Sequence, residues 1–307
     1  MTYKKITGTF IDEITVDIPS QNWGPEEWAR EFDTFVELGM DTVVLIRAGC
    51  GERLACPSKA VSDRVATLPV YVDLVRLFLD LCEARGLGFH FGLYDSNHFW
   101  YRHDWRTEVE INKGFIAEMW ERYGDSPAFK GWYLPHETTD SSLRILDINT
   151  ALAEEVKNLT GLPVLISPYY MGRQDIAGSL RPRTPEEHLR VWEEIFARYE
   201  GLVDACAFQD ATTDLLRLEE YTKATVEAAR GRGIAMWSNA ETFDRDMPIR
   251  FPPTDWRKLA HRLDTVQPYV EKIITFESPH FMSPNSMWPS ARALYRRYQE
   301  LIADRTR

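Results

Sequence analysis

The chain has 307 residues, 44% of them hydrophobic and 27% charged, which is the composition of a folded globular protein and excludes disorder. Thirty-six Lys and Arg stand against 47 Asp and Glu, a formal net charge of −11, so a nucleic-acid or anionic-membrane partner is disfavoured. No apolar run approaches the ~18 residues of a membrane helix, and ten Trp, 13 Tyr and 15 Phe ask for a use.

The opening Met1–Lys5 runs directly into a strand-like segment without an apolar signal-peptide core, so a cytoplasmic protein is expected. Ile6–Asp12 reads as the first strand, and Trp28, Phe32, Phe35 and Val36 mark one face of the helix after it. Thr42–Arg47 is the second strand, followed by a helix with Tyr71, Leu74, Val75, Phe78, Leu81 and Cys82 on one face. Gly88–Tyr94 is the third, followed by Ile111, Phe115, Ile116 and Met119. Phe129–Leu134, Val164–Ser167, Asp204–Phe208, Ile234–Trp237 and Lys272–Phe276 complete eight strands. The helices between and after them run around Leu146–Val156, Leu189–Tyr199, Leu218–Ala229, Trp256–Leu263 and Leu294–Ile302. Most of the strands are nearly continuous apolar runs, as parallel strands covered on both faces require.

Punctuation agrees. Gly39, Gly86, Gly124, Gly161, Gly201 and Gly231 fall where a helix gives way to the next strand, the place for a left-handed cap. Pro25 and Pro185 suit a first helical turn, with Thr184 as the cap before Pro185. Cys50, Cys56, Cys82 and Cys206 have neither a disulfide framework's spacing nor that of a zinc site. Eight β-then-α units predict an α/β fold, a single (β/α)8 TIM barrel spanning 1–307 as one catalytic domain. A doubly wound sheet is the competitor, but the first strand is not followed by Gly-x-Gly-x-x-Gly.

Barrel chemistry sits at the C-terminal strand ends. There the chain places Asp12 and Glu13 (strand 1), Arg47 with Glu52 and Arg53 (strand 2), Asp95, Asn97, His98 and Trp100 (strand 3), and His136 and Glu137 (strand 4). Tyr169, Tyr170 and Arg173 follow strand 5, Gln209 and Asp210 strand 6, Asn239 and Glu241 strand 7, and Glu277, His280 and Phe281 strand 8. Only the fifth strand end lacks a carboxylate in this reading. A ring of like charges around one mouth costs stability, a cost usually tolerated for function.

Paired carboxylates across a barrel mouth suit glycoside hydrolysis, one as acid/base and the other as nucleophile or base. Glu137, after the apolar Gly131–Pro135 run, is the expected acid/base; Glu241 is the expected nucleophile and Glu277 its alternative. Asp12, Glu13, Arg47, Asp95, Trp100, His136, Tyr169, Gln209, Asp210, Trp237, Asn239 and His280 are the expected sugar-binding residues. Aromatic rings at strand ends, here Trp100, Trp105, Tyr169, Tyr170, Trp237 and Phe281, offer faces to a pyranose. Trp28, Trp120, Trp192 and Trp256 are expected in helix packing.

Thr7–Ile14, followed by Ile18-Pro19-Ser20-Gln21-Asn22-Trp23, resembles the opening of an uncharacterised family of bacterial glycoside-hydrolase-like barrels. Phe129–Glu137 and Phe276–Pro284 resemble further segments of that family. The resemblance spans nearly the whole chain and implies a barrel acting on carbohydrate. Glu137 and Glu241 are also similar in position to the acid/base and nucleophile of the largest clan of retaining barrel glycosidases, although that clan has Asn where this chain has His136. A carbohydrate partner, no cofactor and no bound metal are expected. Two other readings remain: a divalent-metal-dependent sugar isomerase or epimerase using Glu137, Asp210, Glu241, Glu277, His136 and His280, and a carbohydrate-binding barrel without catalysis.

Overall fold

A computed structural model describes residues 3–15, 18–102, 104–138, 144–173, 181–210, 212–245 and 251–306. Eight parallel strands close into one barrel: β1 (Ile6–Ile11), β2 (Thr42–Leu45), β3 (Gly88–Gly92), β4 (Phe129–Leu134), β5 (Val164–Ile166), β6 (Ala205–Gln209), β7 (Ala235–Asn239) and β8 (Lys272–Thr275). β8 pairs back onto β1 at Gly8↔Ile274 and Thr9↔Thr275, which closes the ring. Each strand lies within two residues of its expected end points. A long helix follows each: α1 (Pro25–Leu38), α2 (Leu74–Arg85), α3 (Trp105–Tyr123), α4 (Ile145–Thr160), α5 (Pro185–Tyr199), α6 (Leu218–Ala228), α7 (Trp256–Val266) and α8 (Pro289–Arg305). None of the described helices is long and apolar enough to cross a membrane.

Alternation along the strands makes two cores. Phe10, Val44, Ile46, Tyr133, Leu165, Ala205, Ala207 and Ile274 fill the barrel interior, with the Phe10 and Tyr133 rings edge to face at 5.1 Å. The other strand face packs against the helices through Phe32, Phe78, Phe91, Phe115, Trp132, Trp192 and their neighbours. Pro25 and Pro185 sit at the first helical positions, and Thr184 Oγ1 accepts the Glu187 N–H at 3.2 Å. Gly39 (φ 73°) and Gly86 (φ 68°) are left-handed caps, whereas Gly124 keeps right-handed φ (−67°) because its turn continues the helical sense. Trp28 and Trp192 are core residues as expected, but Trp256 is 45% exposed: it starts α7, ahead of the turns that face the barrel. All four cysteines are buried, and none is joined in a disulfide.

Beyond the barrel's C-terminal rim, Gly49–Cys50, Arg53–Leu54 and Tyr94–Asp95 form a small sheet, in which Cys50 pairs with Asp95. It extends the ends of β2 and β3 upward. The two strands part around Gly92, whose absent side chain leaves room for the Leu45 and Ile46 carbonyls. A Cβ there meets backbone, which cannot rotate away. Gly92→Ala is expected to lower unfolding stability by about 3 kcal/mol, read as a shifted denaturant midpoint; an unchanged midpoint would contradict this packing.

Candidate active site

β4 delivers Glu137, β6 delivers Gln209, and the segment after β7 delivers Glu241 and Arg245. These four side chains form one chain of contacts across the mouth. Gln209 Nε2 donates to Glu137 Oε1 at 2.8 Å and to the Ser167 carbonyl at 2.7 Å. Arg245 Nη2 lies 3.4 Å from Gln209 Oε1 and donates to Glu241 Oε1 at 2.8 Å. Burial pushes the Glu137 carboxyl above its ordinary range; Arg47, Gln209 and Arg245 resist the rise, and the Glu241 charge adds to it. Glu241 is 1% exposed, and its Oε2 has no hydrogen-bond partner among the described residues.

Asp210 stands behind Glu241 and supports it. Its Oδ1 accepts the Glu241 N–H at 3.2 Å and pairs with Arg262 Nε at 3.2 Å. Arg262 reaches in from α7, and its Nη1 also donates to the Glu241 carbonyl at 2.7 Å. Burial pushes Asp210 up to about 7, against the Arg262 charge. Asn239 Nδ2 donates to Ser167 Oγ at 3.1 Å.

A third group gathers on the β2–β4 side. Arg47 Nε donates to Asp95 Oδ2 at 3.1 Å, and Trp100 Nε1 to Asp95 Oδ1 at 3.0 Å. Burial would raise Asp95, yet the Arg47 charge and the Trp100 N–H hold it below the usual carboxylate range. His136 Nε2 lies 3.0 Å from Glu108 Oε1 on α3, and the Trp100 ring meets the imidazole edge to face at 5.8 Å. Potential ligand atoms of Asp95, Glu108 and His136 fall within 4.8 Å of one another. A cation there would displace contacts already made, since both Asp95 oxygens and both Glu108 oxygens accept hydrogen bonds.

Glu277 and His280 lie on the β1–β8 side, both fully buried. Glu277 Oε2 accepts the Asp12 N–H at 3.0 Å, and its Oε1 is paired with His280 Nδ1. His280 Nε2 donates to the Pro19 carbonyl at 2.8 Å. Burial alone would depress the imidazole, but Glu277 and Pro19 hold it up at about 9; burial pushes Glu277 up to about 7. Asp12 is spent on Thr15, and Glu13 is paired with Ser20. Glu277 therefore has no oxygen to spare, whereas Glu241 does.

Some expected residues lie elsewhere. Trp237 faces into the opposite end of the barrel, 5.3 Å from Lys272 Nζ and 6.4 Å from the His90 ring, in a cavity of about 550 Å³ shared with Asp41 and Lys130. It lies in mid-strand, two residues short of the rim, and inward-facing residues there point into the interior. Tyr170 is core, stacked on Phe208 at 4.8 Å, and Phe281 packs against Phe243 at 5.3 Å. Tyr169 stays at the rim, bridged to Gln209. Glu108, Arg245 and Arg262 are absent from the expected set. Two carried a signal: Glu108 and Arg262 interrupt the apolar faces of α3 and α7, beside Val109 and Ile111 in one and Leu259 and Leu263 in the other. Arg245 lies in a loop and carried none.

Two outcomes follow from these charges. Arg262→Met leaves Asp210 buried without its cation and is expected to cost about 3–5 kcal/mol in chemical denaturation, part of it regained on adding Asp210→Asn; no recovery would mean that Arg262 acts by packing alone. The unfolded chain releases the His280 proton near 6.5, the folded one near 9. This contribution to stability is complete below about pH 6.5 and lost as pH rises through about 9. Stability measured across that window should fall, and the slope should flatten in His280→Gln.

Residues 6–288 match the model of the family described as "Domain of unknown function (DUF4434)". No curated protein matches the chain. Among solved structures, one from Bacteroides thetaiotaomicron VPI-5482, described as a "putative alpha-L-fucosidase", is 39% identical with a TM-score of 0.93, covering 98% of this chain and 94% of that one. The endo-1,4-beta-D-mannanase of Thermotoga petrophila RKU-1 is 10% identical (TM-score 0.56; 98% of this chain, 100% of that one). The beta-D-glucuronidase of Dictyoglomus thermophilum is 14% identical (TM-score 0.53; 97% of this chain, 51% of that one). The last two likenesses are of fold alone. The match over 283 residues and the Bacteroides relative lead to one conclusion: this chain belongs to the DUF4434 family and shares its barrel with glycoside hydrolases.

Proposed function

We propose that the protein is a retaining glycosidase in which Glu137 is the general acid/base and Glu241 the nucleophile. The observation that carries the reading is the Glu137–Gln209–Arg245–Glu241 chain, which gives two neighbouring carboxylates opposite surroundings. Burial favours a proton on Glu137, as an acid needs. Glu241 is ion-paired to Arg245 through Oε1, and its Oε2 has no partner among the described residues. In the first step Glu241 Oε2 bonds to the anomeric carbon, the glycosidic C–O bond breaks, and the leaving oxygen takes the Glu137 proton. In the second, Glu137 takes a proton from water, the water oxygen bonds to the anomeric carbon, and Glu241 is released. Glu277 serves as a structural partner of His280, because both of its oxygens are taken. Arg47, Asp95, Trp100, His136 and Tyr169 line the sugar's side of the mouth.

The name of the Bacteroides relative makes an α-L-fucoside the first substrate to assay, within a wider glycoside panel run with and without chelator. Glu137→Gln is expected to lose 10²–10⁴ in rate on the glycoside that is turned over, with the fold retained. Azide should rescue Glu241→Ala and leave a glycosyl azide. Rescue at Glu277→Ala instead would move the nucleophile, and undiminished turnover by Glu137→Gln would remove the mechanism.

A further inference from the structure

Glu108 is buried in the first turn of α3, on the same stripe as Asn112. Asn112 Nδ2 donates to the Tyr94 carbonyl at 2.9 Å and its Oδ1 accepts the Tyr94 N–H at 3.0 Å, so this turn is pinned to the chain just beyond β3. Hydrogen-bond counting then fixes what Glu108 does. Ser96 Oγ accepts the His98 and Phe99 N–H groups at 3.1 and 3.0 Å, which uses both of its lone pairs. Its own proton goes to Glu108 Oε2. Glu108 Oε1 accepts the Ser96 N–H at 3.0 Å. Both Glu108 oxygens are thus acceptors, the arrangement of a carboxylate that meets donors only. An N–H on the imidazole nitrogen 3.0 Å away, His136 Nε2, completes that set. That leaves His136 Nδ1, a buried ring atom without a hydrogen-bond partner among the described residues, in the residue next to Glu137.

We infer that Glu108 is a positioning residue: it holds the His136 proton on Nε2, so that Nδ1 presents a lone pair to a hydroxyl of the sugar bound beside Glu137. The second half of this statement rests on the proposed glycosidase reading; the first half does not. Such an outer carboxylate sets the tautomer and ring orientation of the histidine it holds, as carboxylates behind metal-bound histidines do. The neighbouring Trp100 ring, itself fixed by Asp95, limits the imidazole from its other side. The site consequently asks the sugar for an O–H donor at this point, and a deoxy sugar lacking that hydroxyl is discriminated against.

The competing arrangement is a divalent cation on Asp95, Glu108 and His136, which needs the Nε2 lone pair and moves the proton to Nδ1. The two arrangements differ in a spectroscopic signature. Histidine-labelled whole protein is examined by two-bond ¹H–¹⁵N correlation at pH 8, with His136→Asn to assign the signal and with added Zn²⁺ or Mn²⁺. The expected pattern is Nε2–H in the wild type, unchanged by either metal, and loss of the single tautomer in Glu108→Gln, whose amide faces the Ser96 hydroxyl with a donor. On the glycoside that is turned over, Glu108→Gln should lower kcat/KM roughly 10- to 100-fold, carried mainly by KM, and add nothing in a His136→Ala background. An Nδ1–H tautomer, a metal-induced shift of the His136 signal, or additive effects of the two substitutions would overturn the assignment. An Nε2–H tautomer in a protein that hydrolyses no glycoside would sink the glycosidase reading and the hydroxyl contact with it, leaving the tautomer lock standing.

Discussion

The structure depends on how it holds negative charge at one end of a barrel. Each carboxylate drawn from water at the rim carries a penalty of several kcal/mol, and neighbours of the same sign add to it. The penalty is offset by paired donors: Arg47 for Asp95, Arg245 for Glu241, Arg262 for Asp210, His280 for Glu277. Arg47–Asp95 and Arg262–Asp210 join different elements directly; Arg245 and His280 sit three or four residues from their acids and reach other elements through Gln209 and the Pro19 carbonyl, so each offset is also part of a tie between segments of the rim. The electrostatic solution and the rigidity of the mouth are the same set of contacts.

Those ties are unequal, and the inequality separates roles. Glu277 has a partner on each oxygen, and so do Asp95 and Glu108. Glu137 shares one oxygen with an uncharged amide, and Glu241 pairs one oxygen with Arg245 while the other has no partner among the described residues. A carboxylate saturated with donors is a structural element; of the acids with an unpartnered oxygen among the described residues, Asp210 is tied behind Glu241 to its N–H and to Arg262, and Glu241 is the one in the contact chain with Glu137. On that ground the proposed mechanism assigns its covalent step to Glu241 and leaves Glu277 outside it.

The barrel interior divides the molecule into two ends with different character. Phe10, Tyr133, Ile274 and their neighbours form an apolar plug. Above it lie the acids and their donors. Below it Trp237, His90 and Lys272 surround a separate cavity. An aromatic residue in a strand serves one end or the other according to its distance from the rim, and for Trp237 two residues of strand decide the matter.

Much of this was legible in the chain itself. The eight strands declared themselves as short apolar runs, and their order alone put Glu137, Glu241, Glu277, Asp95 and His136 at one end, since parallel strands with helical returns leave all their C-terminal ends on one face. The buried Glu108 and Arg262 were visible as breaks in two apolar helical stripes, though not with their partners. Pairing was beyond linear reading: Arg262 meets Asp210 across 52 residues, and Arg245 meets Gln209 across 36. The sequence by itself determined the barrel and which residue types crowd its mouth, because periodicity and strand direction are local properties. Which acids keep an unpartnered oxygen, which are saturated, and which aromatic faces the far end were decided only by the tertiary structure, because hydrogen-bond capacity is spent largely between residues that closure of the barrel brings together.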